Sequence, residues 1–160
     1  MKGMIRVVLV DPAEESRLSL QRLLSGIGSI WLGEVCTSYD AAARSVPENK
    51  PDLTVLNIDK DPEAAIGLIQ QIVREQHDAI VLTVSRHRDA DMILRLVRAG
   101  AREFLGLPAN LDELMQAFDR LVRTSPAGGQ PRRSSRVIAI TGAAGGVGCT
   151  SVAVNLGTIL

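Results

Sequence analysis

Polar side chains stand where several apolar runs of the sequence end. Asp11 follows the first such run, Asn57 and Asp59 close the third, and Thr83 lies within the fourth. A carboxylate binds hard cations such as Mg²⁺ and can attack phosphorus as a nucleophile, whereas an amide is a poor substitute in both roles. If parallel strands carry these residues, they meet in one crevice, and the chemistry of that crevice depends on Asn57.

A second group of residues that could bind a ligand is the glycine-rich turn ITGAAGGVGCTS. It lies between a β-branched run and the start of a helical pattern, and it contains Gly145, Gly146, Gly148 and Thr150. Successive backbone N–H groups in such a turn, together with a helix N-terminus, can form a concave site for phosphate. The glycines alone can form such an anion-binding nest.

The composition argues against several other functions. Eighteen basic and eighteen acidic residues cancel, and one Trp, one Tyr and two Phe are the only aromatic residues, so no nucleic-acid partner is expected. Cys36 and Cys149 are far apart and have no ligand spacing around them, so no metal site is expected. No apolar segment approaches the ~20 residues of a membrane span, and no signal peptide is visible. We expect a cytoplasmic protein.

Alternating strand and helix patterns must position these residues. Apolar, often β-branched runs predict five strands, at residues 5–10, 30–37, 51–59, 79–85 and 101–107. Apolar residues at helical spacing predict a helix after each strand, at residues 14–24, 38–47, 62–73, 89–99 and 111–122. Five such units specify an α/β fold, a doubly wound parallel sheet with helices on both faces and its site at the carboxyl ends of the strands.

Boundary residues and helical spacing refine this prediction. Pro12 is expected in the first turn of the first helix, Pro47 is expected to close the second helix, and Gly100 is expected to end the fourth in a left-handed conformation. Apolar residues of the first, fourth and fifth helices are expected to face inward. They are Leu18, Leu20, Leu23, Leu24, Met92, Ile93, Leu96, Val97, Leu111, Leu114, Met115, Phe118, Leu121 and Val122.

The alternation of strands and helices stops after residue 123, which ends the first domain. Residues 124–135 are rich in Pro, Gly and Ser and lack apolar anchors, which predicts a flexible linker. Residues 136–160 begin a new unit with a strand, the glycine-rich turn and the start of a helix. One strand and one helix cannot bury a core, so this segment is predicted either to be a truncated domain or to pack on something else.

The first domain resembles the receiver domain of response regulators. VLVDPAEESR is similar to the first strand and acidic turn of that family, and PDLTVLNI to its phosphoacceptor strand. VLTVS is similar to the strand that carries the switch hydroxyl, here Thr83, and AGAREFLGLP to the fifth-strand motif, with Phe104 at the aromatic switch position. The resemblance covers residues 4–123. It implies a CheY-like fold with strand order 2-1-3-4-5 and a relation to phosphorelay signal transduction.

Three residues depart from the receiver pattern. Pro12 replaces the second acid, Asn57 the phosphoacceptor aspartate, and Leu107 the lysine. An amide does not form an acyl phosphate, one remaining acid holds Mg²⁺ poorly, and leucine cannot balance phosphoryl charge. The sequence thus predicts a pseudo-receiver with a degenerate crevice of Asp11, Pro12, Asn57, Asp59, Thr83 and Leu107, and with no metal. The alternative is a response regulator phosphorylated at Asp59.

The glycine-rich turn resembles the deviant Walker A loop of ParA/MinD-like ATPases. It retains the glycines and Thr150, but Ala144 and Cys149 stand where that family has lysines. Phosphoryl transfer depends on charge stabilisation, so we expect this chain not to be an enzyme. A longer natural chain that retained activity, with ATP and Mg²⁺ as cofactors, is the third alternative.

A receiver-like domain joined to such a loop resembles the CpaE/TadZ proteins of type IVb (Tad/Flp) pilus assembly. The resemblance implies a localisation module whose partners belong to the pilus secretion machinery, at a cell pole or the inner face of the membrane. Membrane association would come only through partners or a missing domain. A homodimer through residues 89–99, the fifth strand and residues 111–123 is also expected. Charged residues that could form cross-pairs there are Arg95, Arg98, Arg102, Asp112, Glu113 and Asp119.

Overall fold

Five strands and five helices alternate along residues 4–124, the part of the chain that this computed structural model describes. The strands are β1 (Ile5–Val10), β2 (Ile30–Cys36), β3 (Leu53–Asn57), β4 (Val81–Ser85) and β5 (Glu103–Gly106). The helices are α1 (Glu14–Ser25), α2 (Tyr39–Asn49), α3 (Pro62–Glu75), α4 (Ala90–Ala99) and α5 (Leu111–Thr124). All neighbouring strands are parallel and the order is β2-β1-β3-β4-β5, which confirms the predicted fold and strand order.

The central strand β3 separates two apolar cores. Leu56 packs in the core beneath α2, α3 and α4, whereas Val55 packs in the core beneath α1 and α5. Every residue of β3 is buried, as expected for a strand covered by helices on both faces. The strand ends at Asn57, two residues earlier than the sequence pattern predicts.

Polar side chains start four of the helices. Ser38, Asp61, Asp89 and Asn110 each accept a hydrogen bond from the backbone N–H three residues later, at distances of 3.2, 3.0, 2.8 and 2.9 Å. Helix α1 begins differently: its N-cap is Ala13, which has no side-chain cap. The expectation that Pro12 lies in the first turn is therefore wrong, because the helix starts only at Glu14.

Pro47 lies inside α2, so the expectation that it closes this helix is wrong. The helix continues to Asn49, and Lys50 ends it with a left-handed φ of 44°. Proline has no N–H to donate to the carbonyl of Ala43, four residues earlier. The side-chain amide of Gln71 in α3 donates to that carbonyl at 3.4 Å instead, which compensates for the missing backbone bond.

Some of the predicted inward residues are exposed. Leu20 and Leu24 of α1, Leu96 of α4 and Leu114 and Phe118 of α5 are buried as expected. Between 42% and 53% of the surface of four others is exposed, which corrects the prediction for Leu18, Val97, Leu111 and Met115. Helices on a parallel sheet bury a narrow stripe, and these residues lie at or beyond its margin.

Strand β2 forms one edge of the sheet. Its pairing with β1 shifts register between Val7 and Val8, so Gly33 has no partner and forms a bulge opposite that step. Trp31, the single tryptophan of the chain, lies on this edge with 53% of its surface exposed. Among residues 4–124, no helix is both long enough and apolar enough to cross a membrane.

Candidate functional site

Asp11 and Asn57 meet at the carboxyl ends of two neighbouring strands. Val10 pairs with Leu56, so the residues that follow them lie side by side. Both side chains are almost fully buried, with 0% of Asp11 and 1% of Asn57 exposed. The amide nitrogen of Asn57 donates a hydrogen bond to Asp11 Oδ2 at 3.0 Å. The predicted crevice therefore exists, and a neutral amide faces a carboxylate at its base.

The Asn57 side chain uses both of its polar atoms within the fold. Its nitrogen also donates to the hydroxyl of Ser16 in α1 at 3.1 Å, and its oxygen accepts the backbone N–H of Asp59 at 2.8 Å. The other carboxylate oxygen of Asp11 accepts the backbone N–H of Ala13 at 2.9 Å. Asn57 thus links the β1–α1 loop, the first turn of α1 and the β3–α3 loop.

Ser16 and Tyr39 complete the crevice, and the sequence prediction missed both. Ser16 lies four and eight residues before the buried Leu20 and Leu24, so helical spacing places it on the inward stripe of α1. Tyr39 directly follows the helix cap Ser38, and its hydroxyl donates to the backbone carbonyl of Asn57 at 2.9 Å. The spacing of Ser16 was a usable signal, whereas nothing local indicated the bond from Tyr39.

The Tyr39 hydroxyl lies in a surrounding that disfavours its ionised form. Burial is the main cause, and it raises the pKa of Tyr39 from an ordinary 10.0 to about 12. The negative charges of Asp61, Asp11 and Asp59 raise the pKa further, while a backbone hydrogen bond with Asp61 opposes them. Tyr39 is therefore a neutral donor at physiological pH, and it fixes the end of β3.

Asp59 is turned toward β4 rather than toward Asp11. Its carboxylate accepts the Ser85 hydroxyl at 2.5 Å, and each of its oxygens accepts the backbone N–H of Arg86 at 3.1 Å. Ser85 in turn accepts the backbone N–H of His87 at 2.9 Å. Asp59 follows the end of β3, so its position is that of a loop residue that organises the start of the β4–α4 loop.

Thr83 was expected in the crevice, but its side chain does not reach it. Asn57 pairs with Val84, and successive strand residues alternate between faces, so Thr83 lies on the opposite face from Asn57. Its hydroxyl donates to the carbonyl of Glu103 in β5 at 3.1 Å. The hydroxyl that stands at the end of β4 belongs to Ser85.

Leu107 brings no charge to the crevice. Its side chain packs against the core beneath α1 and α5, and its N–H donates to the carbonyl of Ser85 at 2.7 Å. The bond between Leu107 and Pro108 is cis. Pro12, on the other side of the crevice, is half-buried and has no side-chain ligand to offer.

Phe104 lies away from the crevice, half-buried in a groove of about 330 Å³ between α4 and α5. One wall of the groove carries Ile93, and Arg120 lies on the other. The Arg88 guanidinium fills the space beside Gly106, since a Cβ placed there would clash with Arg88 Nε. The fifth-strand aromatic residue therefore belongs to the face expected to bind partners.

The residues of the crevice fit Mg²⁺ poorly. Asp11 is the only carboxylate at its base, and the group that faces Asp11 from Asn57 is an N–H donor, which does not bind a cation. Among residues 4–124, no cluster of three or more His, Cys, Asp or Glu side chains could hold a metal ion. What this arrangement can do is hold three loops together without a ligand.

The predicted P-loop residues lie outside the described part of the chain. They are Gly145, Gly146, Gly148, Cys149 and Thr150. The predicted linker at 124–135 and segment at 136–160 lie outside it as well, apart from Thr124, which ends α5.

Comparisons with known proteins agree on one family. The pattern of the response regulator receiver domain matches residues 7–119. The chemotaxis protein CheY of Thermotoga maritima is 24% identical over 116 residues, which cover 72% of this chain and 96% of CheY. The transcriptional regulatory protein PrrA of Mycobacterium tuberculosis is 31% identical over 120 residues, 74% of this chain and 50% of PrrA. The response regulator GacA of Pseudomonas viridiflava is 27% identical over 119 residues, 74% of this chain and 55% of GacA. The chain thus spans about half the length of PrrA and GacA.

Solved structures show the same fold. The response regulator domain of Thermotoga maritima CheB superposes with a TM-score of 0.62 at 21% identity, over 80% of this chain and 98% of that one. A proposed pilus assembly protein (CpaE) of Burkholderia thailandensis gives a TM-score of 0.66 at 18% identity, over 73% and 97%. A proposed pilus assembly-related protein of Burkholderia pseudomallei gives 0.65 at 19% identity, over 75% and 90%.

Proposed function

The chain belongs to the response regulator receiver domain family, and on that premise we propose that it is a receiver-like module that is not phosphorylated. Its role is protein interaction and localisation within a pilus assembly protein of the CpaE/TadZ type. The observation that carries the first part is the hydrogen bond from Asn57 to Asp11, with a donor where a phosphorylated receiver needs a nucleophile.

Phosphoryl transfer to a receiver requires three contributions from this crevice. A carboxylate must attack phosphorus, a cation must hold the phosphoryl oxygens, and acidic ligands must hold that cation. Asn57 supplies no nucleophile, Leu107 no charge, and Pro12 no second ligand beside Asp11. Each loss weakens phosphorylation by itself, and together they leave a crevice stabilised by its own hydrogen bonds.

Two further observations support the pilus assembly role. The fold is shared with two proteins of Burkholderia that are described as proposed pilus assembly proteins. The glycine-rich sequence that follows, with Ala144 and Cys149 in place of the lysines, is similar to a weakened Walker A motif. A receiver that has lost phosphorylation keeps its surfaces, so binding to protein partners is the function left to it.

The first experiment tests phosphorylation. The purified chain is incubated with acetyl phosphate and Mg²⁺, beside a phosphorylatable receiver as positive control, and intact mass is measured. We expect no phosphoryl adduct on the wild type or on Asn57→Asp, because Pro12 and Leu107 remain in the single variant. A stable adduct on the wild type would contradict the proposal.

Asp59 supports the second candidate, a response regulator with a displaced phosphoacceptor. Its carboxylate is half-buried at the same end of the sheet, two residues after Asn57, and it lies next to the Ser85 hydroxyl. Its three hydrogen bonds to β4 and the following loop argue against attack on phosphorus. An adduct that disappears in Asp59→Asn would establish this candidate and exclude the first.

The second experiment tests the pilus role in cells. A fluorescent fusion of the full natural protein is expected at a cell pole, and deletion of the gene is expected to abolish pili. Complementation with Asn57→Asp should restore pili, because phosphorylation is not used. Pili that persist in the deletion strain would refute the assignment to pilus assembly. An ATP hydrolysis assay on the same full-length protein tests the third alternative.

A further inference from the structure

An ion pair joins α1 to the β4–α4 loop across the carboxyl end of β3. The Arg86 guanidinium lies 3.1 Å from Glu15 Oε2. Arg86 directly follows the end of β4, and Glu15 lies in the first turn of the helix that follows β1. Since β3 lies between β1 and β4 in the sheet, the pair joins elements on the two sides of β3, which ends at Asn57.

The Arg86 guanidinium reaches α1, the helix that also contacts Asn57. Ser85 is the last residue of β4, so strand alternation does not place Arg86, whereas its ion pair with Glu15 does. Asn57 pairs with Val84, which packs in the core beneath α1 and α5, and its amide donates to Ser16, the residue after Glu15. The ion pair and the Asn57 amide therefore contact the same turn of α1.

Asp59 fixes the backbone from which Arg86 extends. Both Asp59 oxygens accept the Arg86 N–H, and one of them also accepts the Ser85 hydroxyl. The loop residue next to the crevice thus positions the arginine that spans it. Arg88, two residues later, lies beside Gly106 in the groove between α4 and α5, so only one of these two arginines reaches α1.

We propose that Arg86 and Glu15 form a strap across the mouth of the crevice, anchored by Asp59, that limits access of water and small solutes to Asp11 and Asn57. The inference rests on the proposed function in one respect: a crevice that accepts no phosphoryl group can be covered without loss. About 53% of the Arg86 side chain and 86% of the Glu15 side chain are exposed, so the strap opens readily and responds to salt.

Amide hydrogen exchange in the intact chain tests the strap. Two backbone N–H groups report on the crevice: that of Asp59, bonded to Asn57 Oδ1, and that of Ala13, bonded to Asp11 Oδ1. We expect both to exchange faster in Arg86→Ala and in Glu15→Gln, by no more than about fivefold for an exposed pair. The double variant should match the single variants, because either change alone opens the strap.

Arg88→Ala is the matched control, since it removes an arginine from the same loop that does not cross the crevice. Amides of the buried core strands, such as those of Val55 and Leu82, are the internal reference. Unchanged exchange in either Arg86→Ala or Glu15→Gln overturns the strap, as does an equal effect in Arg88→Ala or a uniform increase that includes the core amides. None of these results affects the mass measurement on the wild type, so the failure of the strap and the failure of the proposed function are distinguishable.

Discussion

Asn57 differs from aspartate by one group, an amide nitrogen in place of a carboxylate oxygen, and that nitrogen faces Asp11. A carboxylate at this position would lie about as close to Asp11 as the present 3.0 Å, and two buried like charges repel strongly unless a cation lies between them. The amide replaces repulsion with a hydrogen bond. At the scale of one residue, this hydrogen bond joins the ends of β1 and β3 without a cation between them.

Asn57→Ala is expected to lower the free energy of unfolding by about 2 kcal/mol. The change leaves a buried Asp11 oxygen and the Asp59 N–H without their Asn57 partner, and an unsatisfied buried polar group costs about 1–3 kcal/mol. Urea denaturation measures the effect. Asn49→Ala, which removes an exposed asparagine of α2, should cost less, and equal losses in the two variants would contradict the role of Asn57.

Tyr39 makes stability depend on pH in the alkaline range. Its pKa rises from 10.0 to about 12 on folding, so the neutral hydroxyl stabilises the fold fully below pH 10.0, and this contribution is lost as the pH rises through about 12. Tyr39 is the only tyrosine of the chain, so tyrosinate absorbance reports on it alone. We expect Tyr39 to ionise at a higher pH in the folded chain than in the unfolded chain. Coincident titration curves would contradict the buried hydrogen bond.

Tyr39→Phe is the matched variant for that titration. It keeps the ring and removes the bond to the Asn57 carbonyl, so it should cost about 1 kcal/mol near neutral pH. The difference in stability between the wild type and this variant should shrink as the pH approaches 12.

At the scale of elements, the sequence allowed the strands and their order to be predicted because buried parallel strands leave uninterrupted apolar runs. The width of the buried stripe on each helix was harder to predict from the sequence. Val97 and Met115 fit a helical stripe, yet 53% and 43% of their surfaces are exposed, since spacing alone does not tell how wide the buried stripe is. The prediction that Thr83 lies in the crevice was wrong because successive residues of β4 point to opposite faces of the sheet. The hydroxyl at the end of β4 is that of Ser85, two residues later.

The candidate site was predictable in its positions and only partly in its contacts. Asp11, Asn57 and Leu107 lie where the strand ends placed them, because the topology fixes that edge. The partners of Asn57 required the three-dimensional path of other segments: Ser16 comes from α1 and Tyr39 from α2. The helical spacing of Ser16 indicated that it faces inward, but not that it binds Asn57, and the bond from Tyr39 left no pattern in the sequence at all.

Two glycines of the α3–α4 region should respond in opposite directions to alanine. Gly100 ends α4 with φ of 116°, and a Cβ there would lie 2.8 Å from Val73 Cγ2. Gly100→Ala should therefore destabilise the chain by about 1–3 kcal/mol, through left-handed strain and the contact with Val73. Thermal and urea unfolding measure the change.

Gly67 provides the control for Gly100. It lies inside α3, and a Cβ there would meet no atom within 4 Å. Gly67→Ala should stabilise the chain by up to about 1 kcal/mol, because glycine is a poor helix former. A loss at Gly67 similar to that at Gly100 would show that alanine is disfavoured for some other reason.

At the scale of the whole molecule, the α4–β5–α5 face is the surface on which partners are expected. Leu94 and Val97 expose 47% and 53% of their surfaces there, beside the groove that contains Phe104. Two of the charged residues expected to form cross-pairs are engaged within the chain. Arg95 binds Glu63 at 2.6 Å, and Glu113 accepts the N–H of Asn110 at 3.0 Å in the first turn of α5. Leu94 and Val97 therefore offer apolar contact on this face beside its charged residues.

A double change of Leu94 and Val97 to glutamate should abolish a homodimer formed through this face. Charges on both exposed apolar side chains would have to be buried in the interface, which is strongly unfavourable. Sedimentation velocity at several concentrations measures the change. Leu18→Glu is the control, because Leu18 is exposed to 45% on α1, outside this face. Loss of the dimer in both variants would show that the dimer does not depend specifically on the α4–β5–α5 face.

Trp31 provides the chain with a built-in optical reporter. Its indole is already half in water on the edge of β2, so unfolding should change its fluorescence emission only slightly, and this signal is a poor measure of stability. Any partner that covers the edge strand would instead transfer the ring to an apolar surrounding and shift the emission to shorter wavelength. Because the chain contains no other tryptophan, such a shift would map contact to β2 without any label. A partner bound at α4 and α5 would leave the Trp31 emission unchanged. One spectrum would therefore show whether a partner binds at β2 or at α4 and α5.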